Sequence, residues 1–357
     1  MQKTTQPDSS PDSSPKFGFN LDVLRPGDIL LSVDDSKISR GIARFTRGEF
    51  SHAMFYVGHS FIHAMTDGVY SKNPQRYLRD DASHLAAFRL LPEYSAKADF
   101  GAACQFVRSQ VGALYSIPQA MMAGPEKKLL STAEKSGKQF CSRLVAQAFD
   151  SIGISLVDNV NYCSPNELAR SPLLQRVENA TKQLNEKEIA FSKTFDANAV
   201  IQKRTYQWLD KTRRLALRRR ITPISTQTDV LPMLIAYPSL DNTVSGYMAN
   251  SGYADFYDWD RKTNPWRYDS GTFLATTADE DLLPSLNHEW KILQPDIERH
   301  GASLAASLEN LSRLQHLRYL DLTHDLAVKL FNETDLRRKA VEETARVLGV
   351  KLPISKA

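Results

Sequence analysis

The sequence has few cysteines, and this shortage excludes two common kinds of stabilising site. Its three cysteines, at positions 104, 141 and 163, form no CxxC pair and lie near no closely spaced pair of histidines. A disulfide framework needs an even and denser set of cysteines, and a structural zinc site needs ligands at short spacings. We therefore expect no disulfide framework, no metal and no cofactor.

Long apolar segments are also absent. No uninterrupted apolar run reaches the length of about 18 residues that a membrane-spanning helix requires, and the N-terminus has no apolar segment of the kind found in a Sec signal. We expect a protein that is made in the cytoplasm without a Sec signal or a transmembrane helix. Export by a specialised secretion system would leave no such signal in the sequence.

The sequence has little excess of charge of either sign. The net charge is only +4, with 45 Lys and Arg against 41 Asp and Glu, which argues against a nucleic-acid-binding protein. The exception is the stretch 203–220, which contains one acidic residue, Asp210, and ends with three consecutive arginines. This stretch predicts either a solvated helix face or a peripheral contact with an anionic phospholipid surface.

The distribution of apolar residues indicates three regions. Residues 1–16 are Ser, Pro, Asp and Thr with no apolar anchor after Met1, so we expect a disordered tail. Residues 17–175 alternate strand and helix patterns, and residues 176–357 are mainly helix-forming. The fold class is therefore predicted to be α+β, with an antiparallel sheet and helices followed by a mainly α-helical accessory region of unknown role.

Several individual elements are predicted. A hairpin is indicated at 53–64, where two β-type runs flank Gly58-His59. A helix should start at Cys141 and close at Gly153, and the last helix should start at Thr334 or Asp335, carry Leu336 inward and close at Gly349. The other predictions are strands at 27–33, 69–70 and 86–90, and helices at 37–46 and 97–111.

One constellation of residues suggests chemistry. Cys141 is expected in the first turn of its helix, where backbone N–H groups and the helix dipole lower the pKa of a thiol and can bind an oxyanion. His52 opens one strand of the predicted hairpin and His63 lies on the other, so their side chains can share a face. A thiol nucleophile, a base and an orienting group are thus available.

These residues lie in motifs that resemble the circularly permuted NlpC-like, papain-fold cysteine hydrolases of the YiiX/YebB type, in which the histidine precedes the cysteine. The resemblance covers about residues 22–175. The motifs are Gly27-Asp28-Ile29-Leu30, Phe50-Ser51-His52-Ala53-Met54-Phe55-Tyr56-Val57-Gly58, Ile62-His63-Ala64, Gly68-Val69, Gly112-Ala113-Leu114-Tyr115-Ser116, Phe140-Cys141-Ser142-Arg143-Leu144-Val145 and Ser164-Pro165-Asn166-Glu167-Leu168.

The resemblance implies roles for five residues. Cys141 would be the nucleophile, His52 the general base and His63 the orienting group, with Tyr115 and Ser142 as candidates for substrate or oxyanion contacts. Many YiiX-like members have Glu where this chain has His63. A second histidine there resembles the related lecithin:retinol acyltransferase branch.

The substrate is left open at this stage. The family label favours an amide, such as a peptide or a cell-wall cross-link. His63, the apolar segment 117–123 and the basic stretch 203–220 favour a lipid ester, cleaved by a phospholipid acyl hydrolase or acyltransferase. A catalytically dead binding module is a third reading. The large accessory region is compatible with a delivered antibacterial effector and with a docking surface for an inhibitor protein.

Overall fold

The computed structural model describes residues 14–33, 49–115 and 139–353. These form two compact units: one contains the described residues up to Arg108 and from Tyr115 to Phe195, and the other contains Ser109–Leu114 and the described residues from Asp196 onward. The predicted α+β class with a helical C-terminal region is confirmed. Residues 1–13 of the predicted tail, the helix predicted at 37–46 and the segment 117–123 lie outside the described residues.

A six-stranded antiparallel sheet forms the centre of the first unit, in the spatial order β5-β4-β3-β2-β6-β7. The predicted hairpin is present as β3 and β4. Every residue of β2 and β3 is buried, because both faces of the sheet are covered. The strands are β2 (Ile29–Ser32), β3 (His52–Tyr56), β4 (Phe61–Met65), β5 (Gly68–Lys72), β6 (Leu85–Leu90) and β7 (Leu174–Arg176).

A two-stranded sheet extends the first unit beyond the predicted boundary at residue 175. Strand β1 (Phe17–Phe19) pairs antiparallel with β8 (Thr181–Gln183). The backbone carbonyl of Lys16 accepts a hydrogen bond from the N–H of Leu184, 2.8 Å away. Because these bonds tie the segment after residue 175 to the start of the described chain, the unit ends at Phe195.

The helix that begins at Cys141 packs against the sheet. The helix predicted to start at Cys141 does so, and it ends near Gly153, whose φ of +78° is a left-handed conformation that suits glycine at a helix end. The Phe149 ring on this helix lies 5.6 Å from the ring of Phe55 on β3. The α-helices up to Phe195 are α1 (Pro92–Ser95), α2 (Phe100–Ser109), α3 (Cys141–Asp150), α4 (Pro165–Ala169) and α5 (Glu186–Ser192).

The second unit is helical in its described part. Its largest core surrounds Trp208, which is fully buried with Leu209, Val230 and Val244. None of the helices in the described part of the chain has the length and apolarity needed to span a bilayer. The α-helices are α6 (Ala197–Arg218), α7 (Val230–Ala236), α8 (Asp241–Asn250), α9 (Trp259–Thr263), α10 (Ser270–Thr276), α11 (Leu282–Arg313) and α12 (Arg318–Val347).

The predicted start of the last helix is wrong. Helix α12 begins at Arg318, and Thr334 lies in its middle, where the hydroxyl donates to the Leu330 carbonyl at 3.0 Å. Leu336, predicted to face inward, is 42% exposed, whereas Arg337 is buried. The local sequence Thr334-Asp335 resembles a helix start. The turns before it pack against α11, however, and this packing stabilises a helix that runs through both residues.

A buried carboxylate accounts for the burial of Arg337. Glu289 on α11 is 2% exposed. Its Oε1 accepts from Arg267 Nη2 at 2.9 Å, and its Oε2 accepts from Arg337 Nε at 3.1 Å. A buried carboxylate is tolerated only when such partners compensate for its lost hydration. Glu289 therefore joins α11 to α12 and to the turn that contains Arg267.

We expect Glu289→Ala to reduce the free energy of unfolding by about 3–5 kcal/mol, because it leaves two guanidinium groups without their shared buried partner. The measurement is urea unfolding of the full chain, followed by circular dichroism. Glu343→Ala is the matched control, because it removes an exposed carboxylate that pairs with Arg346 on the helix surface, and it should leave stability unchanged. Equal effects of the two variants would contradict the structural role of Glu289.

Candidate active site

Cys141 is the first residue of α3, and its position follows from the helix start. Phe140 is the N-cap residue and makes no side-chain cap hydrogen bond; the first bond of the helix runs from the Leu144 N–H to the Phe140 carbonyl, at 3.0 Å. Backbone N–H groups at such a start lack intrahelical acceptors. Because α3 packs its buried apolar side against β3 and β4, the cysteine is brought to the sheet.

The end of pairing between two strands leaves a backbone N–H group available to the sulfur. β3 and β4 pair only at Phe55↔Ile62 and Tyr56↔Phe61, so the ladder has ended before Ala53. The Tyr56 N–H is directed to β2, and by strand alternation the Ala53 N–H is directed to the β4 side. That N–H donates to the Cys141 sulfur. The thiol therefore lies at the backbone amide of the residue that follows His52.

Burial dominates the electrostatics of the thiol. It raises the pKa of Cys141 above its usual value, and hydrogen bonds from the backbone N–H groups of Ala53 and Ser142 offset part of that rise. The prediction that the helix start lowers the pKa of Cys141 is therefore wrong. Burial destabilises the thiolate more than the N–H groups at the helix start stabilise it. The resting group is a neutral thiol, which needs a base before it can act as a nucleophile.

His52 and His63 form a buried pair. The Nε2 atom of His52 lies 2.9 Å from Nδ1 of His63 in a hydrogen bond, and the ring centroids are 5.1 Å apart. The register of the hairpin places Met54 opposite His63, so the two histidines are diagonal neighbours on one face. The Tyr70 ring contacts the other side of His63, with centroids 4.5 Å apart. The juxtaposition predicted from the hairpin is present.

The environment of His63 keeps it neutral. Burial lowers its pKa well below the ordinary 6.5, and the nearby charges of His52 and Lys72 lower it further. Its Nε2 atom is buried and has no hydrogen-bond partner among residues 14–33, 49–115 and 139–353. The Nδ1 atom of a neutral His63 can accept a hydrogen bond from the Nε2–H group of His52. In that tautomer the unprotonated nitrogen of His52, which can act as a base, is its Nδ1.

Asn166 holds the segment just before His52, a role that sequence reasoning missed. Its Oδ1 accepts from the Phe50 N–H at 2.9 Å, and its Nδ2 donates to the Phe50 carbonyl at 2.8 Å. Asn166 lies on α4, whose start is fixed by a capping box between Ser164 and Glu167. The available signal was its place in the Ser164-Pro165-Asn166-Glu167 motif, but no local pattern indicates its distant partner.

Tyr115 and Ser142, the two proposed contact residues, differ in their surroundings. Burial raises the pKa of Tyr115, and a charge on Cys141 would raise it further, so the phenol keeps its proton. The Ser142 hydroxyl donates to the Cys163 carbonyl at 2.6 Å. It is thus already engaged, and the Ser142 backbone N–H is the better candidate for an oxyanion contact.

The remaining thiols and the metal-binding residue types form no second centre in the described chain. Cys104 is buried on α2, and burial raises its pKa to about 11. Cys163 is fully buried, and all three cysteines are free thiols. No group of three or more His, Cys, Asp or Glu side chains within the described ranges is arranged to hold a metal ion.

Comparisons with known proteins find structural similarity that is only remote. No family model and no curated protein matches the sequence. Among solved structures, the chain is similar to the metalloprotein yiiX from Escherichia coli O157:H7, with 15% identity and a TM-score of 0.32; the match covers 43% of this chain and 97% of that one. A likeness this weak does not assign an activity, so function has to be inferred from the geometry of the site.

We expect stability to fall as the pH drops below about 6.5. In the unfolded chain His63 binds a proton near its ordinary pKa of 6.5, whereas in the folded chain its pKa is well below that value. The unfolded state then binds more protons, so acid favours unfolding in this range. Urea unfolding of His63→Gln between pH 8 and pH 5 should show a shallower decline than wild type. The exposed His288→Gln is the control, and an identical decline in His63→Gln would contradict the buried neutral state.

Proposed function

We propose that this protein is a cysteine hydrolase that cleaves an acyl bond through a thioester with Cys141. The observation that carries the proposal is that a thiol and a histidine pair lie at consecutive residues of β3. The Cys141 sulfur lies at the Ala53 amide, and the preceding residue, His52, is hydrogen-bonded to His63. This combination of thiol, base and orienting group is what nucleophilic catalysis by cysteine requires.

The reaction begins with a neutral thiol. His52 Nδ1 takes the proton from the sulfur as the sulfur attacks the carbonyl carbon, and the carbonyl oxygen becomes an oxyanion. Backbone N–H groups at the start of α3, aided by the Tyr115 hydroxyl, stabilise that oxyanion. The imidazolium then gives its proton to the leaving amine or alkoxide, and the thioester remains.

Hydrolysis regenerates the thiol. His52 takes a proton from water as the water oxygen attacks the thioester, and it returns that proton to the departing sulfur. Throughout the cycle His63 accepts a hydrogen bond from His52 Nε2 and holds the ring in place. A group that stays neutral beside a transient imidazolium suits this role, because two charged histidines in contact would repel each other.

Two acyl substrates fit this chemistry. The resemblance to permuted NlpC-like hydrolases favours an amide in a peptide or cell-wall peptide, which we prefer slightly. The buried histidine pair favours a lipid ester, because a second histidine at position 63 resembles the lecithin:retinol acyltransferase branch. Both substrates would form the same type of thioester, so the acyl group that Cys141 retains distinguishes them.

The decisive experiment is incubation of wild type and Cys141→Ala with peptidoglycan fragments and, separately, with phospholipid vesicles. Wild type should release product from one of them, and mass spectrometry after acid quenching should find the acyl group on Cys141. Cys141→Ala should lose turnover, because the methyl side chain removes the nucleophile and opens little space in the fold. Retention of activity within about tenfold would place the nucleophile elsewhere.

His63→Gln should reduce kcat by about ten- to a hundredfold, less than His52→Ala, because glutamine keeps a hydrogen-bond partner for the base but not its geometry. Wild-type activity should fall below about pH 6, where a histidine base becomes protonated. The measurement is a pH–rate profile for the three proteins. A His63→Gln profile identical to wild type from acid to alkaline pH would make His63 an ordinary strand residue.

A further inference from the structure

The basic stretch 203–220 separates into two groups of residues within the second unit. Three of its cations are engaged by their surroundings. Arg204 donates to the Gly252 carbonyl, Lys211 lies over the Tyr247 ring, and Arg213 pairs with Asp210 at 2.7 Å. These three side chains are committed to the fold, so they do not offer their charge to a partner.

The end of α6 is different, and we call Arg214 and residues 217–220 the basic tip. The side chains of Arg218, Arg219 and Arg220 are exposed and form no ion pair or side-chain hydrogen bond with residues in the described ranges. Within the described residues, the Arg214 side chain donates to the backbone carbonyl of Asp210 and to no other group. The basic tip therefore carries positive charge that no carboxylate of the described chain neutralises.

Most exposed arginines elsewhere in the described part of this unit are paired, and Arg318 is the exception. Arg313 contacts Glu309 at 2.7 Å, Arg338 contacts Glu342 at 2.8 Å, and Arg346 contacts Glu343 at 2.5 Å. Such i,i+3 and i,i+4 pairs neutralise the charge of a helix surface. The contrast makes the unpaired arginines of the basic tip a local feature and not a general property of the unit.

An apolar side chain projects from the same place. Leu217 is 77% exposed, although Leu215 and Ala216 beside it are buried in the core. A nucleic acid or an acidic peptide would use the arginines but would have no need of this leucine. The interface of an anionic bilayer accommodates both, since apolar side chains enter the acyl boundary while cations contact phosphate groups.

Arg220 has a backbone conformation that glycine adopts at lower cost in free energy. Its φ is +55°, in the left-handed region. The Ile221 N–H donates to the Ala216 carbonyl at 3.0 Å, which closes the helix in the manner of a Schellman motif. Because an arginine in this conformation costs free energy that glycine would not, its presence points to a use for the side chain other than stability.

We infer that the basic tip docks peripherally on an anionic lipid surface, with Leu217 at the acyl boundary and the arginines on lipid phosphates. Phospholipid is favoured over other polyanions because the cations and the exposed leucine lie together. This inference goes beyond the proposed hydrolase activity. It holds whether the acyl substrate is a lipid or a peptide.

The test measures binding of the full chain, with Cys141→Ala present in every protein so that no turnover alters the lipid. Sedimentation with vesicles of phosphatidylcholine, with and without phosphatidylserine, should show binding only to the anionic vesicles, weakened by salt. Replacing Arg218, Arg219 and Arg220 by Gln should weaken binding about a hundredfold. Leu217→Ser should weaken it by about threefold to tenfold.

The control variant removes similar groups from a surface where the charges are paired. It combines Arg313→Gln, Arg338→Gln and Arg346→Gln with Leu308→Ser, because Leu308 is also exposed, at 51%. It should bind anionic vesicles like the parent protein. Equal losses in the control and in the basic-tip variant would show that net charge alone governs binding and would overturn the inference.

Arg220→Gly separates lipid binding from stability. Glycine removes the backbone strain, so the Tm should equal or exceed that of the parent protein, while vesicle binding should weaken by about fivefold. Arginines that serve only to cap the helix dipole would instead lower the Tm when replaced and leave vesicle binding unchanged. Equally tight binding to duplex DNA, insensitive to Leu217→Ser, would also overturn the inference in favour of a general polyanion surface.

Discussion

The end of strand pairing between β3 and β4 is the constraint on which the candidate site depends. If the ladder continued past Phe55, the Ala53 N–H would bond to β4 and would not be available to the Cys141 sulfur. Where the pairing has ended, His52 and His63 lie diagonally across the two strands, and their side chains form a hydrogen bond. A backbone feature thus brings together two distant parts of the chain, the β3–β4 hairpin and the start of α3.

Burial then sets the protonation states within that site. It raises the pKa of the Cys141 thiol and lowers the pKa of His63, so both groups are neutral at rest. A neutral pair costs less to bury than a thiolate and an imidazolium. In the proposed mechanism charge appears only when substrate enters, and the proton is transferred between groups that the sheet and Asn166 already position.

Charges in the second unit follow two different rules. Glu289 is buried and compensated by Arg267 and Arg337, so its interactions specify how the long helices pack. At the end of α6 the arginines have no carboxylate partner in the described chain and directly follow the exposed Leu217. The first arrangement serves the fold, and the second presents charge and apolar surface to a partner, which we infer to be anionic lipid.

By itself the sequence determined the local features: the hairpin, the helix that starts at Cys141, and the residue types that make His52 and His63 candidates. These follow from short-range periodicity and from turn and cap chemistry, which act between neighbours in the chain. Tertiary structure decided the continuation of α12 through Thr334, the contact of Asn166 with Phe50, the direction of the Cys141 pKa shift, and which arginines of 203–220 are free of carboxylates. Each of these depends on burial or on partners remote in sequence. Neither burial nor remote partners can be predicted from a local sequence pattern.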